Sequence, residues 1–102
     1  MPLEIRILSG ARAGQTARFE QSTIVVGRID GSDLKFDPQH DLDVSSKHAE
    51  FRMVGSGYEV HDNNSTNGTL VNGAKITGGV KLKSGDRVKF GREGPEVEVA
   101  FR

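Results

Sequence analysis

Side chains able to do chemistry gather in three stretches of this 102-residue chain: Gly27-Arg28, Val44-Ser45-Ser46-Lys47-His48, and the run from Asn63 to Gly73. The last is nearly all amides, hydroxyls and glycines. Its two Asn-Gly pairs, 67–68 and 72–73, favour tight turns because both residue types tolerate positive φ. Two linked turns around a very short strand, Thr69 to Val71, are therefore expected. Turns need only one or two such residues, so some polar side chains are left over to hold something else. Arg28 carries a guanidinium that can give an oxyanion two parallel N–H bonds, which lysine cannot imitate. Ser45, Ser46 and Thr66 can add hydroxyl or backbone donors without adding charge. Ser45, His48 and Asp62 are also the side-chain types of a hydrolytic triad. There is no Gly-x-Ser-x-Gly elbow, and so small a domain has little room for a substrate cleft, so no catalytic residue is assigned. Asp37, Asp41 and Asp43 lack the Gly and terminal Glu of a calcium loop, and neither a metal site nor a cofactor is assigned. Lys81, Lys83, Arg87, Lys89 and Arg92 read as a solvated face balanced by Glu96 and Glu98, because no aromatics interleave to stack bases. His40 and His61 read as surface residues.

These side chains need a scaffold, and period-two alternation supplies one. Leu3, Ile5 and Ile7 alternate with polar residues, as do Ala49, Phe51 and Met53, and later Val97, Val99 and Phe101. Thr16 to Phe19, Ser22 to Val26, Leu34 with Phe36, Tyr58 with Val60, Val80 with Leu82, and Val88 with Phe90 read as further strands. Gly55-Ser56-Gly57 and Ser84-Gly85-Asp86 read as turns. No window of eleven or more residues has helical apolar spacing, so an all-β sandwich is predicted. The stretch from Asp37 to Lys47 is the longest without strand character, and such loops are usually functional or mobile. Together with the Gly27-Arg28 strand end and the Asn-rich turns, it can meet at one end of a sandwich, where loops cluster.

The totals narrow the partners. Fourteen basic and fourteen acidic residues give a net charge of zero, so any anion site must be local, and neither nucleic acid nor membrane is an expected partner. The absence of cysteine excludes disulfides and thiolate metal sites. No long apolar run or signal-peptide pattern follows Met1-Pro2, which makes a cytoplasmic protein the expectation. The length suits one domain, 1–102, readable as a piece of a longer protein.

With its segments placed, the chain resembles a forkhead-associated (FHA) domain over nearly its whole length. The resemblance rests on Gly27-Arg28, Ser45-Ser46-Lys47-His48, Ser65/Thr66-Asn67-Gly68-Thr69 and Asn72-Gly73, in that order. It implies a sandwich of about eleven strands in two antiparallel-rich sheets, with peptide-binding loops at one end. It also implies a monomeric, non-enzymatic signalling module that binds phosphothreonine peptides and recruits a partner phosphorylated by a Ser/Thr kinase. A phosphorylation-independent protein–protein or self-association module is the alternative. By this resemblance Arg28 and Ser45 are the main phosphate ligands, Ser46 and Thr66 assist, and Asn67 holds the peptide backbone. Gly27, His48, Gly68, Asn72 and Gly73 support the site. Ser46 stands where the family often has arginine, which removes one cation. If Asp30, Asp33, Asp41 and Asp43 face the peptide, acidic residues downstream of the phosphothreonine should be repelled.

Overall fold

Alternating burial follows the alternating sequence. In the computed structural model, which describes residues 2–101, β1 (Leu3–Ile7) buries Leu3, Ile5 and Ile7 and exposes Glu4 and Arg6. The remaining strands are β2 (Thr16–Phe19), β3 (Thr23–Gly27), β4 (Leu34–Lys35), β5 (Ala49–Val54), β6 (Gly57–Asp62), β7 (Thr69–Val71), β8 (Ala74–Lys75), β9 (Gly79–Lys81), β10 (Arg87–Phe90) and β11 (Glu96–Ala100). They form a six-stranded sheet, β2-β1-β11-β10-β7-β8, and a five-stranded sheet, β4-β3-β5-β6-β9. The short β3–β4 contact, Val26 opposite Leu34, is parallel, and the other pairs are antiparallel. No helix among the described residues is long and apolar enough to cross a membrane.

The two inner faces meet in one core of Leu3, Ile5, Ile7, Ile24, Val26, Phe51, Tyr58, Val60, Val88, Phe90, Val97, Val99 and their neighbours. Phe90 is its aromatic centre, with ring centroids 5.5 Å from Phe36, 5.6 Å from His48 and 6.2 Å from Phe51. The outer faces carry the charge. Arg87 sits opposite Glu98 and Lys89 opposite Glu96, as expected of a balanced, solvated face.

Two elements differ from the sequence reading. Strand β4 ends at Lys35, and Phe36 reaches the core from the loop beyond it. Strand β8 has no apolar signature, since both of its residues are exposed. It exists because Asn72 (φ 51°) and Gly73 (φ 87°) form a two-residue hairpin turn that pairs Val71 with Ala74. In the other Asn-Gly pair only Gly68 (φ 83°) is left-handed.

Register fixes which loops meet. Gly27 ends β3, Ala49 starts β5 opposite both Val26 and Asp62, and Thr69 starts β7 opposite Phe90. The β3–β4, β4–β5, β6–β7 and β10–β11 connections therefore emerge at the same end of the sandwich. The Gly55-Ser56 and Asn72-Gly73 turns lie at the other.

Candidate functional site

The loop end is assembled around Arg28. Its backbone N–H donates to Ser46 O at 3.1 Å, and the next N–H, of Ile29, donates to the same oxygen at 3.3 Å. This close approach requires glycine at 27, because a Cβ there would collide with the Ser46 carbonyl. The Arg28 side chain turns back over the same loop. Its Nε donates to Val44 O, and its Nη1 donates to Pro38 O at 3.0 Å. Arg28 thus grips the chain on both sides of Ser45, while Nη2 has no hydrogen-bond partner among the described residues. One guanidinium thus ties the end of β3 to the long loop between β4 and β5.

Ser45 connects this loop to the Asn-rich one. Its Oγ accepts the Thr66 N–H at 3.0 Å, so its hydroxyl proton points elsewhere. The Ser46 side chain and the Thr66 hydroxyl are exposed and make no hydrogen bond to a described residue. Asn67 donates Nδ2–H to Asp43 O at 3.1 Å, leaving its side-chain carbonyl oxygen open. Arg28, Ser45, Ser46, Thr66 and Asn67 therefore share one surface.

His48 lies beneath them, fully buried. Its Nδ1 accepts the Ser45 N–H at 3.0 Å, and its Nε2–H donates to Gly68 O at 2.8 Å. One neutral tautomer satisfies both bonds, and burial holds the imidazole pKa below its ordinary value. This ring sets the spacing between the two loops. Gly68 O also accepts the Gly91 N–H at 2.8 Å, which ties in the β10–β11 connection.

Catalysis by these groups lacks its geometry. The bond between Ser45 and His48 uses the serine backbone, and both imidazole nitrogens are committed to main-chain groups. Asp62 accepts from the Ser65 hydroxyl, from Ser65 N at 3.2 Å and from Thr69 Oγ1 at 2.7 Å. Burial raises the Asp62 pKa, but these bonds outweigh it and leave the carboxyl below its ordinary value. It is a brace that shapes the Asn-rich loop, and Thr69 beside it is fully buried. The spacing Asp62-x-x-Ser65 was the available signal for this turn.

The four acidic residues considered for contact with a peptide each have a partner in the protein, while Asp30 and Asp33 stay exposed. Asp30 pairs with Lys35, and Asp33 accepts the Val25 N–H at 2.8 Å. Asp41, buried, accepts the N–H groups of Ala11 and Asp37, both at 3.2 Å. Asp43 accepts the Glu93 N–H at 2.8 Å. With fully buried Val44, the bonds of Asp41 and Asp43 order the long loop. Asp37 accepts from Gln39 and His40, so the three loop aspartates are shared out among main-chain donors rather than converging on an ion.

Asn72 and Gly73 lie away from this surface, at the other end of β7. The Asn72 side chain accepts the Arg87 N–H at 2.9 Å and donates to Asp86 at 3.0 Å, clamping β7 to the start of β10. Their support of the site is limited to holding that strand in register.

A family model described as FHA domain matches residues 24–91. The oxoglutarate dehydrogenase inhibitor of Corynebacterium jeikeium is 41% identical over 83 residues, which cover 81% of this chain and 55% of that protein. The glycogen accumulation regulator GarA of Mycolicibacterium smegmatis is 40% identical over 83 residues, covering 81% and 50%. The chain spans about half the length of these relatives. A structure solved for a structural and functional analysis of phosphothreonine-dependent FHA domain interactions is similar at a TM-score of 0.83 with 28% identity, over 100% of this chain and 98% of that one. Fold, motif order and sequence similarity agree, and the chain belongs to the FHA domain family.

Proposed function

We propose that the loop end binds a phosphothreonine peptide and so recruits a partner phosphorylated by a Ser/Thr kinase. The observation that carries this reading is the fixed position of Arg28, whose Nε and Nη1 are held by loop carbonyls while Nη2 remains available beside the Ser45, Ser46 and Thr66 hydroxyls. A phosphothreonine brings about 1.5 to 2 negative charges and three acceptor oxygens. A pre-oriented guanidinium with neutral donors around it matches that demand without losing side-chain entropy on binding. Arg28 and Ser45 are the principal phosphate ligands, Ser46 and Thr66 supply further donors, and the free carbonyl of Asn67 accepts from the peptide backbone.

The solved FHA domain named above was studied for phosphothreonine-dependent interactions, and the two relatives bear the names of an inhibitor and a regulator. These support a regulatory adaptor without catalytic activity. In this reading residues 1–102 form a single recruitment domain that works as a monomer in the cytoplasm. Fluorescence anisotropy with matched degenerate peptides carrying phosphothreonine, phosphoserine or threonine tests it. Phosphothreonine peptides should bind in the micromolar range and unphosphorylated ones should not bind measurably. Equal binding of the phosphorylated and unphosphorylated sets would overturn the proposal.

A further inference from the structure

Asn67 takes its orientation from a second loop. Its Nδ2–H goes to the Asp43 carbonyl oxygen at 3.1 Å, and a carbonyl oxygen can only accept. That bond therefore fixes which end of the amide is left open. We propose that Asp43 is a positioning residue for peptide binding. Seated on the β10–β11 turn, it holds the Asn67 amide in the sense that offers its oxygen to a main-chain N–H of the bound peptide. The inference rests on the phosphothreonine reading above.

Three observations converge on Asp43. First, it is anchored from outside its own loop, because its carboxylate accepts the Glu93 N–H at 2.8 Å, 50 residues away in the chain. Second, the turn packs against the same carbonyl that holds Asn67. A Cβ on Gly91 would lie 2.7 Å from the Asp43 Cβ and 2.8 Å from the Asp43 oxygen, so this approach requires glycine. Its φ of 96° requires glycine as well. Third, the turn also holds the residue that follows Asn67, since the Gly91 N–H donates to Gly68 O at 2.8 Å.

The turn is a firm support. Gly94 N–H closes it on Gly91 O at 3.1 Å, and Phe90 N–H donates to Pro95 O at 3.0 Å where it joins the strands. The partner of the Asn67 amide and the main chain beside that amide thus share one support. A free asparagine amide rotates and presents its NH₂ and its oxygen in turn. Fixing it in advance spares the ordering cost on binding and selects one kind of main-chain group in the ligand.

The test replaces main-chain N–H groups of a phosphothreonine peptide by ester oxygen, singly, within about two positions of the phosphothreonine. Each peptide is titrated into wild type, Asp43→Ala and Asp43→Asn. Both variants lose the carboxylate charge, but asparagine keeps an oxygen for the Glu93 N–H and alanine does not. One ester should weaken wild-type binding about three- to tenfold, the worth of one hydrogen bond. Asp43→Asn should keep that penalty, and Asp43→Ala should reduce it below about twofold. A merely structural role would weaken every peptide alike and leave the penalty unchanged. Absence of a penalty at every position in wild type, or equal penalties in the two variants, overturns the positioning role while phosphate recognition stands. Failure of the all-amide phosphopeptide to bind wild type overturns phosphate recognition and this role with it. If Asp43→Ala does not fold, the free wild-type protein decides. NMR should then detect a scalar coupling across the hydrogen bond from Asn67 Nδ2 to the Asp43 carbonyl, and its absence overturns the assignment.

Discussion

Arg28 does two things with one guanidinium, and the two can be separated. Nε and Nη1 tie down the 38–44 segment, and the remaining N–H groups face outward. Lysine at this position keeps the charge but loses the planar fork, so Arg28→Lys should weaken phosphopeptide binding by about 100-fold or more, equivalent to losing two charge-assisted bonds of about 1.5 to 3 kcal/mol each. Calorimetry on a variant whose fold is verified by circular dichroism reads this directly. His48 gives a second prediction at this scale. Its folded pKa lies below its ordinary value of 6.5 because burial disfavours the cation. The unfolded chain therefore takes up a proton first as pH falls, and stability that is fully present above about pH 6.5 is lost on descent toward the folded pKa. Protonation would also turn Nδ1 into a donor facing the Ser45 N–H. The urea midpoint of the free protein should fall between about pH 7.5 and 5, and the His48 imidazole should titrate below 6.5 by NMR.

Among the elements, Gly27 and Asn72 separate support of the site from support of the fold. A methyl at Gly27 strikes the Ser46 carbonyl, so Gly27→Ala must push the 44–48 loop away from β3. A cost of about 1 to 3 kcal/mol in unfolding free energy is expected, together with weakened peptide binding. Asn72→Ala removes two side-chain bonds and a left-handed turn residue at the opposite end. It should also cost about 1 to 3 kcal/mol, yet leave peptide affinity within about twofold, since distant sites act independently. Denaturant unfolding and peptide titration on both variants check the contrast. The strands that carry core residues were legible because Leu3, Ile5, Ile7 and their counterparts alternate with exposed neighbours. Strand β8 was not, since Ala74 and Lys75 are held by a turn and a register rather than by burial. The functional loops were legible by residue type, but their braces were not. Asp33, Asp41 and Asp43 spend their carboxylates on main-chain N–H groups 8, 30 and 50 residues away, partners that carry no side-chain mark in the sequence.

For the molecule as a whole, a net charge of zero and interleaved outer faces leave little long-range field. Phosphate recognition must then be short-range, made by the donors at one end of the sandwich. The most direct test is an NMR titration of the labelled protein with a phosphothreonine peptide and with its unphosphorylated twin. With the phosphopeptide, the Arg28 guanidinium and the amides of Ser45, Ser46 and Thr66 should shift strongly, while those of Gly55, Asn72 and Gly73 stay in place. The unphosphorylated peptide should leave all of them unmoved. Equal shifts with both peptides, or shifts centred on the opposite turns, would contradict phosphate capture by Arg28 and Ser45.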